Sequence, residues 1–136
     1  MASIMEQVRD IETDTKKNKK ASASLFIKAI RKGSLDDVKH LISHVSPLIT
    51  EVCTIAAHNG HLEILKYLHD NGCPWDKWAC AWAARNGHLE ILKYLHNNGC
   101  PWDRYACVYA AGYGHFEILK YLHNNNCRLG GASLGL

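Results

Sequence analysis

Six cysteines and nine histidines are the residues of this chain best suited to chemistry. Thiolate and imidazole are zinc ligands and paired thiols carry redox chemistry. His69, Cys73 and Cys80, within about a dozen residues, therefore define a first function class, a metal- or redox-linked protein. Their wider spacing argues against it. No Cys-x-x-Cys occurs, and the cysteines fall into two sets, Cys53, Cys80, Cys107 and Cys73, Cys100, Cys127, whose members stand 27 residues apart. His61, His88 and His115 keep the same interval. Thiols in phase with a repeat read as small packing groups. No Ser, Cys or carboxylate stands in a constellation that departs from this background, so no catalytic residue, metal ligand or cofactor is assigned.

The interval belongs to the whole chain. Ala83 to Cys100 reappears almost unchanged at Ala56 to Cys73 and again at Ala110 to Cys127, and Gly33, Gly60, Gly87 and Gly114 stand 27 apart. A fixed period of this size marks an array of supersecondary units, whose function is sought on a surface rather than in one pocket. Each unit holds two helices. Asp76 and Asp103 are placed to cap the first, where a carboxylate accepts from free first-turn amides and favours the positive end of the helix dipole. Trp75 and Cys80, like Trp102 and Cys107, have the spacing of a hydrophobic staple, and Pro74 and Pro101 stiffen the same turn. Gly87, after Arg85-Asn86, ends the first helix.

The second helix is expected from about His88 to Asn98, with Leu89, Leu92, Leu95, Ile91 and Tyr94 inward and Glu90, Lys93 and Asn97 in water. Gly72 and Gly99 close it, and Asn126 replaces glycine at that phase because Asn tolerates the left-handed cap. On the first helix, Ala79, Cys80, Ala83 and Ala84 form a face of small residues that permits close helix approach. Trp78, Ala81, Trp82 and Arg85, then Tyr105, Val108, Tyr109 and Gly112, form the opposite, outward face.

The formal charge is +3 over 136 residues, with a 47% hydrophobic share. Residues 1–32 hold eight basic and four acidic side chains, or +4, which leaves the remainder close to neutral. No basic face for nucleic acid is therefore expected along the repeats. Neither a membrane span nor a secretory leader is present, so an intracellular, cytoplasmic protein is expected, with the nucleus as the other compartment. Ile4, Val8 and Ile11 are spaced for a short helix, and Thr13 to Lys20 reads as a mobile basic linker whose Lys16-Lys-Asn-Lys-Lys20 run is a solvated charge run.

The stretch Ala83-Ala-Arg-Asn-Gly-His-Leu-Glu-Ile-Leu-Lys-Tyr-Leu and the closing Gly99-Cys-Pro-Trp-Asp resemble ankyrin repeats over roughly Leu25 to Cys127, with Gly33-Ser-Leu-Asp as a weaker first copy. The resemblance implies an all-α, ankyrin-like solenoid of stacked helix-turn-helix repeats with shortened hairpin loops, because six residues of the usual 33-residue unit are missing at the hairpin tip. It divides the chain into an N-terminal tail (1–24), four repeats (about 25–51, 52–78, 79–105 and 106–127) and a Gly-rich tail (128–136). The short form with Cys-Pro-Trp-Asp is similar to repeats of large DNA viruses and some protists, which makes a host protein the corresponding target.

The resemblance also implies a non-catalytic protein–protein interaction module that binds on its concave, first-helix side. By position the contact residues are Lys77, Trp78, Arg85, Asn86, Arg104, Tyr105 and Tyr113. Trp82 and Tyr109 are weighted lowest, since the family has an inward aliphatic residue there. After Cys127 the repeat pattern fails, so Ile118, Leu119 and Leu122 are expected to leave apolar surface uncovered, a route to early unfolding or self-association.

Overall fold

The computed structural model describes residues 19–45 and 50–127. The short helix expected from Ile4, Val8 and Ile11 and the Gly-rich tail at 128–136 lie outside them. The described residues form four helix pairs. The first helices are α1 (Lys19–Lys32), α3 (Thr50–His58), α5 (Lys77–Arg85) and α7 (Arg104–Gly112). The second are α2 (Leu35–Leu41, continued by a 3-10 turn over Ile42–His44), α4 (Leu62–Asp70), α6 (Leu89–Asn97) and α8 (Phe116–Asn124). Among the described residues there is no strand, so the fold is an all-α solenoid of helix-turn-helix units. One boundary moves: α1 opens at Lys19, so the last residues of the expected tail and linker are helical.

The local signals act as their chemistry dictates. Asp76 Oδ1 accepts from the Trp78 amide at 3.0 Å and Asp103 Oδ1 from the Tyr105 amide at 2.9 Å, each a cap worth about 1 kcal/mol. Helix ends close by paired backbone bonds. The Gly72 amide donates to His69 O and the Cys73 amide to Leu68 O, both at 3.0 Å, and the pattern recurs at Gly99 and Cys100. Asn126 takes φ +70, the left-handed value expected of a glycine substitute. The cap asparagines add a bond to the last turn, as where Asn98 Nδ2 donates to Tyr94 O at 2.8 Å.

The stack is held by its first helices. The small faces of α3, α5 and α7 pack directly on one another, with Ala79, Cys80, Ala83 and Ala84 fully buried, while successive second helices scarcely meet. Close packing on one layer and spreading on the other bends the array toward the first helices. Each second helix packs back on its own partner through residues such as Ile91, Leu92 and Leu95.

Two expectations are corrected. Ala81, assigned to the outward face, is 1% exposed, whereas Val108 at the same repeat position is 43% exposed. This position faces the next repeat, so it is covered in α5 and bare in α7, the last described first helix. Ile118 and Leu122 are buried for a different reason, because they face their own partner helix α7 and need no following repeat, and only Leu119 of the expected trio is partly open. The uncovered apolar surface is instead Phe116, at 73% exposure, with Val108 and Tyr113.

Candidate functional site

The first-helix layer carries a connected ladder of rings and cations. Trp78 lies against Tyr105 with ring centroids 5.5 Å apart, Trp82 stacks on Tyr109 at 6.2 Å, and Tyr105 joins Tyr109 at 6.2 Å. The repeat sets this arrangement: residues four apart on one helix share a face, and the same position one unit later lies beside it. Lys77 sits over Trp78 at 5.4 Å and pairs with Asp103 at 3.0 Å, while Arg104 covers Tyr105 at 5.5 Å. The Arg85 guanidinium is held by three rings, Trp82 at 4.7 Å, Tyr113 at 5.0 Å and Tyr109 at 6.0 Å. Stacking of this kind contributes about 0.5–1 kcal/mol per ring at an exposed site and leaves the in-plane N–H donors outward.

Of the residues assigned from sequence, Lys77, Trp78, Arg104 and Tyr105 thus form one cluster and Arg85 with Tyr113 another. Asn86 stands apart from both, since its Nδ2 donates to the His58 carbonyl of the preceding unit at 3.1 Å. Trp82 and Tyr109, weighted lowest, join the two clusters. Both are half-buried rather than packed inward. The signal for them was the i,i+4 spacing from Trp78 and Tyr105. Beyond the ladder, His58 meets Trp82 edge-on at 5.0 Å, and Arg31 completes a line with His58 and Arg85 at one repeat position. Partial burial, then the positive charges of Arg85, His88 and Arg31, push the His58 imidazole below its usual range.

The histidines that open second helices are joints. His61, His88 and His115 each donate Nε2–H to a carbonyl thirty residues earlier, those of Arg31, His58 and Arg85, at 3.0, 3.1 and 2.9 Å. A carbonyl can only accept, which places the ring proton on Nε2. His69 and His96 are taken up differently, stacking on Trp75 at 3.8 Å and Trp102 at 4.1 Å. Tyr94 and Tyr121 of the next unit meet those indoles edge-on. The indoles therefore anchor turns, through partners the staple spacing did not name.

The cysteines are all buried with free thiols. Cys100 and Cys127 donate to the carbonyls of Asp76 and Asp103 at 3.3 and 3.2 Å, bracing the capped turns. A hydrogen bond to the companion thiol and burial push Cys53, Cys80 and Cys107 far up, so these remain protonated and unreactive. Among the described residues no three His, Cys, Asp or Glu side chains converge as a metal-binding group, and His69, Cys73 and Cys80 do not form one. Strong chelator and reductant are each expected to leave the thermal midpoint within about 1 °C in a differential scan. A larger drop would return the cysteines to the metal or redox class.

No described helix is long and apolar enough to cross a membrane. No curated protein matches the chain significantly. A family model described as "Ankyrin repeats (3 copies)" matches residues 25–102 and 80–134, which together span most of the chain. With the helix pairs, the Gly-His joints and this match in agreement, the chain belongs to the ankyrin-repeat family, whose repeats are protein–protein interaction modules.

Proposed function

We propose that the first-helix face binds a partner protein through Trp78, Arg85, Tyr105 and Tyr113, with Trp82 and Tyr109 between them and Lys77 and Arg104 at the margin. Asn86 acts from behind, by fixing the helix end that carries Arg85. The observation that carries this reading is Arg85, clamped by three rings and without a carboxylate partner among the described residues. Pre-ordered arginine and aromatic side chains concentrate interface energy, because little rotamer freedom is left to lose on binding. A binding role rather than a reaction is assigned to this face because ankyrin-repeat domains are typically non-enzymatic scaffolds.

Affinity capture tests the proposal with three proteins side by side: wild type, Trp78→Ala/Arg85→Ala on the inner face, and Glu63→Ala/Lys93→Ala on the opposite layer. The inner-face variant is expected to lose captured partner by at least about tenfold, equivalent to about 1.4 kcal/mol, and the other to retain it. Equal capture by all three overturns the assignment.

A second reading concerns Phe116, which is 73% exposed in a last described unit that also exposes Val108 and Tyr113. Exposed apolar surface of this kind favours pairing between copies. Sedimentation of the wild type is expected to show concentration-dependent association that Phe116→Asp abolishes. A wild type that stays monomeric at high concentration removes this reading.

A further inference from the structure

Charge is nearly even along the repeats, but the fold sorts it by layer. From Ser22 onward the first helices carry Lys28, Arg31, Lys32, Lys77, Arg85 and Arg104 against one carboxylate, Glu51. The second helices carry four lysines against six carboxylates. The inner layer is electropositive and the outer one is not, a separation that focuses attraction for anions on one side.

Within the inner layer Arg31, His58 and Arg85 occupy one repeat position at the ends of α1, α3 and α5. Among the described residues neither arginine is paired with a carboxylate. An open cavity of about 320 Å³ lies beside this line, bounded by Arg31, Thr54, Ile55, His58, Asn59 and Trp82. Its lining thus combines one guanidinium, Arg31, with the polar Thr54, His58 and Asn59 and the apolar Ile55 and Trp82, and Arg85 stands one repeat along the line.

Helix C-termini ordinarily repel anions, since each presents roughly half a negative charge on its free carbonyls. Here that repulsion is reduced. The carbonyls of Arg31, His58 and Arg85 each receive a donor from His61, His88 or His115. Each guanidinium also carries a full positive charge on a side chain that reaches beyond the backbone, so attraction exceeds what repulsion remains.

We propose that this site, resting on the reading of the inner face as protein-binding, selects an acidic segment of the partner. An extended stretch places carboxylates against Arg31 and Arg85 and a neighbouring apolar side chain in the cavity between Ile55 and Trp82. Guanidinium donors match a carboxylate in a planar fork, and the three rings over Arg85 hold its plane fixed. A nucleic acid fits less well. The ring faces that would stack on bases are covered by one another and by Arg85, and Glu51 and Asp103 interrupt the run of positive charge.

Fluorescence anisotropy with the full chain tests the proposal at an ionic strength of about 0.15 M. The probes are a labelled peptide of about twelve residues with glutamates around a central leucine, the same peptide with glutamines, and an oligothymidine of similar length. The glutamate peptide is expected to bind at least about tenfold tighter than the glutamine peptide and than the oligonucleotide. Arg31→Gln and Arg85→Gln are each expected to weaken it by about fivefold, Arg85→Lys by less, and Lys120→Gln on the outer layer not at all. Circular dichroism checks that each variant is folded. Equal affinity for the two peptides, tighter binding of the oligonucleotide, no binding of the glutamate peptide, or indifference to Arg31→Gln overturns the acidic selectivity. The capture comparison separates this from the broader reading. A partner lost from Trp78→Ala/Arg85→Ala while the two peptides bind alike leaves the inner face standing without its preference for acid. Retention of the partner by that variant removes both.

Discussion

Leu92→Ala is expected to destabilise the protein by about 3–4 kcal/mol, and Leu119→Ala, at the same position one unit later, by about half as much. Leu92 is fully buried in α6, with repeats on both sides, whereas Leu119 in α8 is only partly covered. Truncating the first removes the side chain's transfer free energy and leaves a cavity that the flanking units hold open. Truncating the second leaves a gap that water already reaches, so the cavity contribution largely disappears. In a solenoid the central change also weakens an interface that every other unit depends on through its neighbours. The urea midpoint should fall by about 1.5–2 M for Leu92→Ala and by less than 1 M, roughly, for Leu119→Ala. Hydrogen exchange adds a direct reading, with amides of Glu117 to Leu122 expected to exchange before those of Glu90 to Leu95. Equal losses and equal protection would mean that the last described pair is as well buttressed as the centre.

That contrast between equivalent positions also explains what the sequence disclosed. Asp76, Asp103 and the glycines act within a few residues of themselves, so their helix starts and stops were readable from one unit. The small face of Ala79, Cys80, Ala83 and Ala84 was readable too, since it follows from helical periodicity alone. Ala81 was not. Its burial comes from the neighbouring unit, and a helix wheel drawn for a single helix takes a side facing a neighbour for a side facing water. Ile118 and Leu122 were misjudged by the opposite error, since they are covered by their own partner helix and need no following repeat.

The site was legible in outline and not in its centre. Trp78, Arg85 and Tyr105 stood out because they vary in an otherwise constant frame. Trp82 and Tyr109 were discounted because the resemblance implies an aliphatic side chain at that position, yet an indole is too large to turn inward beside Ala79 and Ala83. It lies along the surface and becomes the bridge between the two clusters. The line Arg31, His58, Arg85 was hidden differently. Its members differ in type and stand a full repeat apart, and their charge is balanced along the chain by carboxylates that the fold carries to the other layer.

Gly60→Ala is expected to cost about 2–4 kcal/mol, well beyond the effect of Gly72→Ala in the same molecule. Both glycines hold left-handed backbone, φ +78 and +85, so a side chain at either is strained by about 1–2 kcal/mol. Their surroundings differ. A Cβ on Gly72 meets nothing within 4 Å, whereas one on Gly60 would stand 2.8 Å from Cε1 of His88. The imidazole would have to move, and its 3.1 Å bond to the His58 carbonyl would be lost, adding about 1–2 kcal/mol. Gly-His is thus one device: the glycine both turns the chain and leaves room for the ring of the following unit, which then ties the two units together. A double-mutant cycle isolates it. In a His88→Ala background the ring is gone, and Gly60→Ala should then cost no more than Gly72→Ala, giving a coupling of about 1–2 kcal/mol in urea denaturation. A cycle that closes to zero would show that the glycine and the ring act independently, and that Gly60→Ala costs only backbone strain.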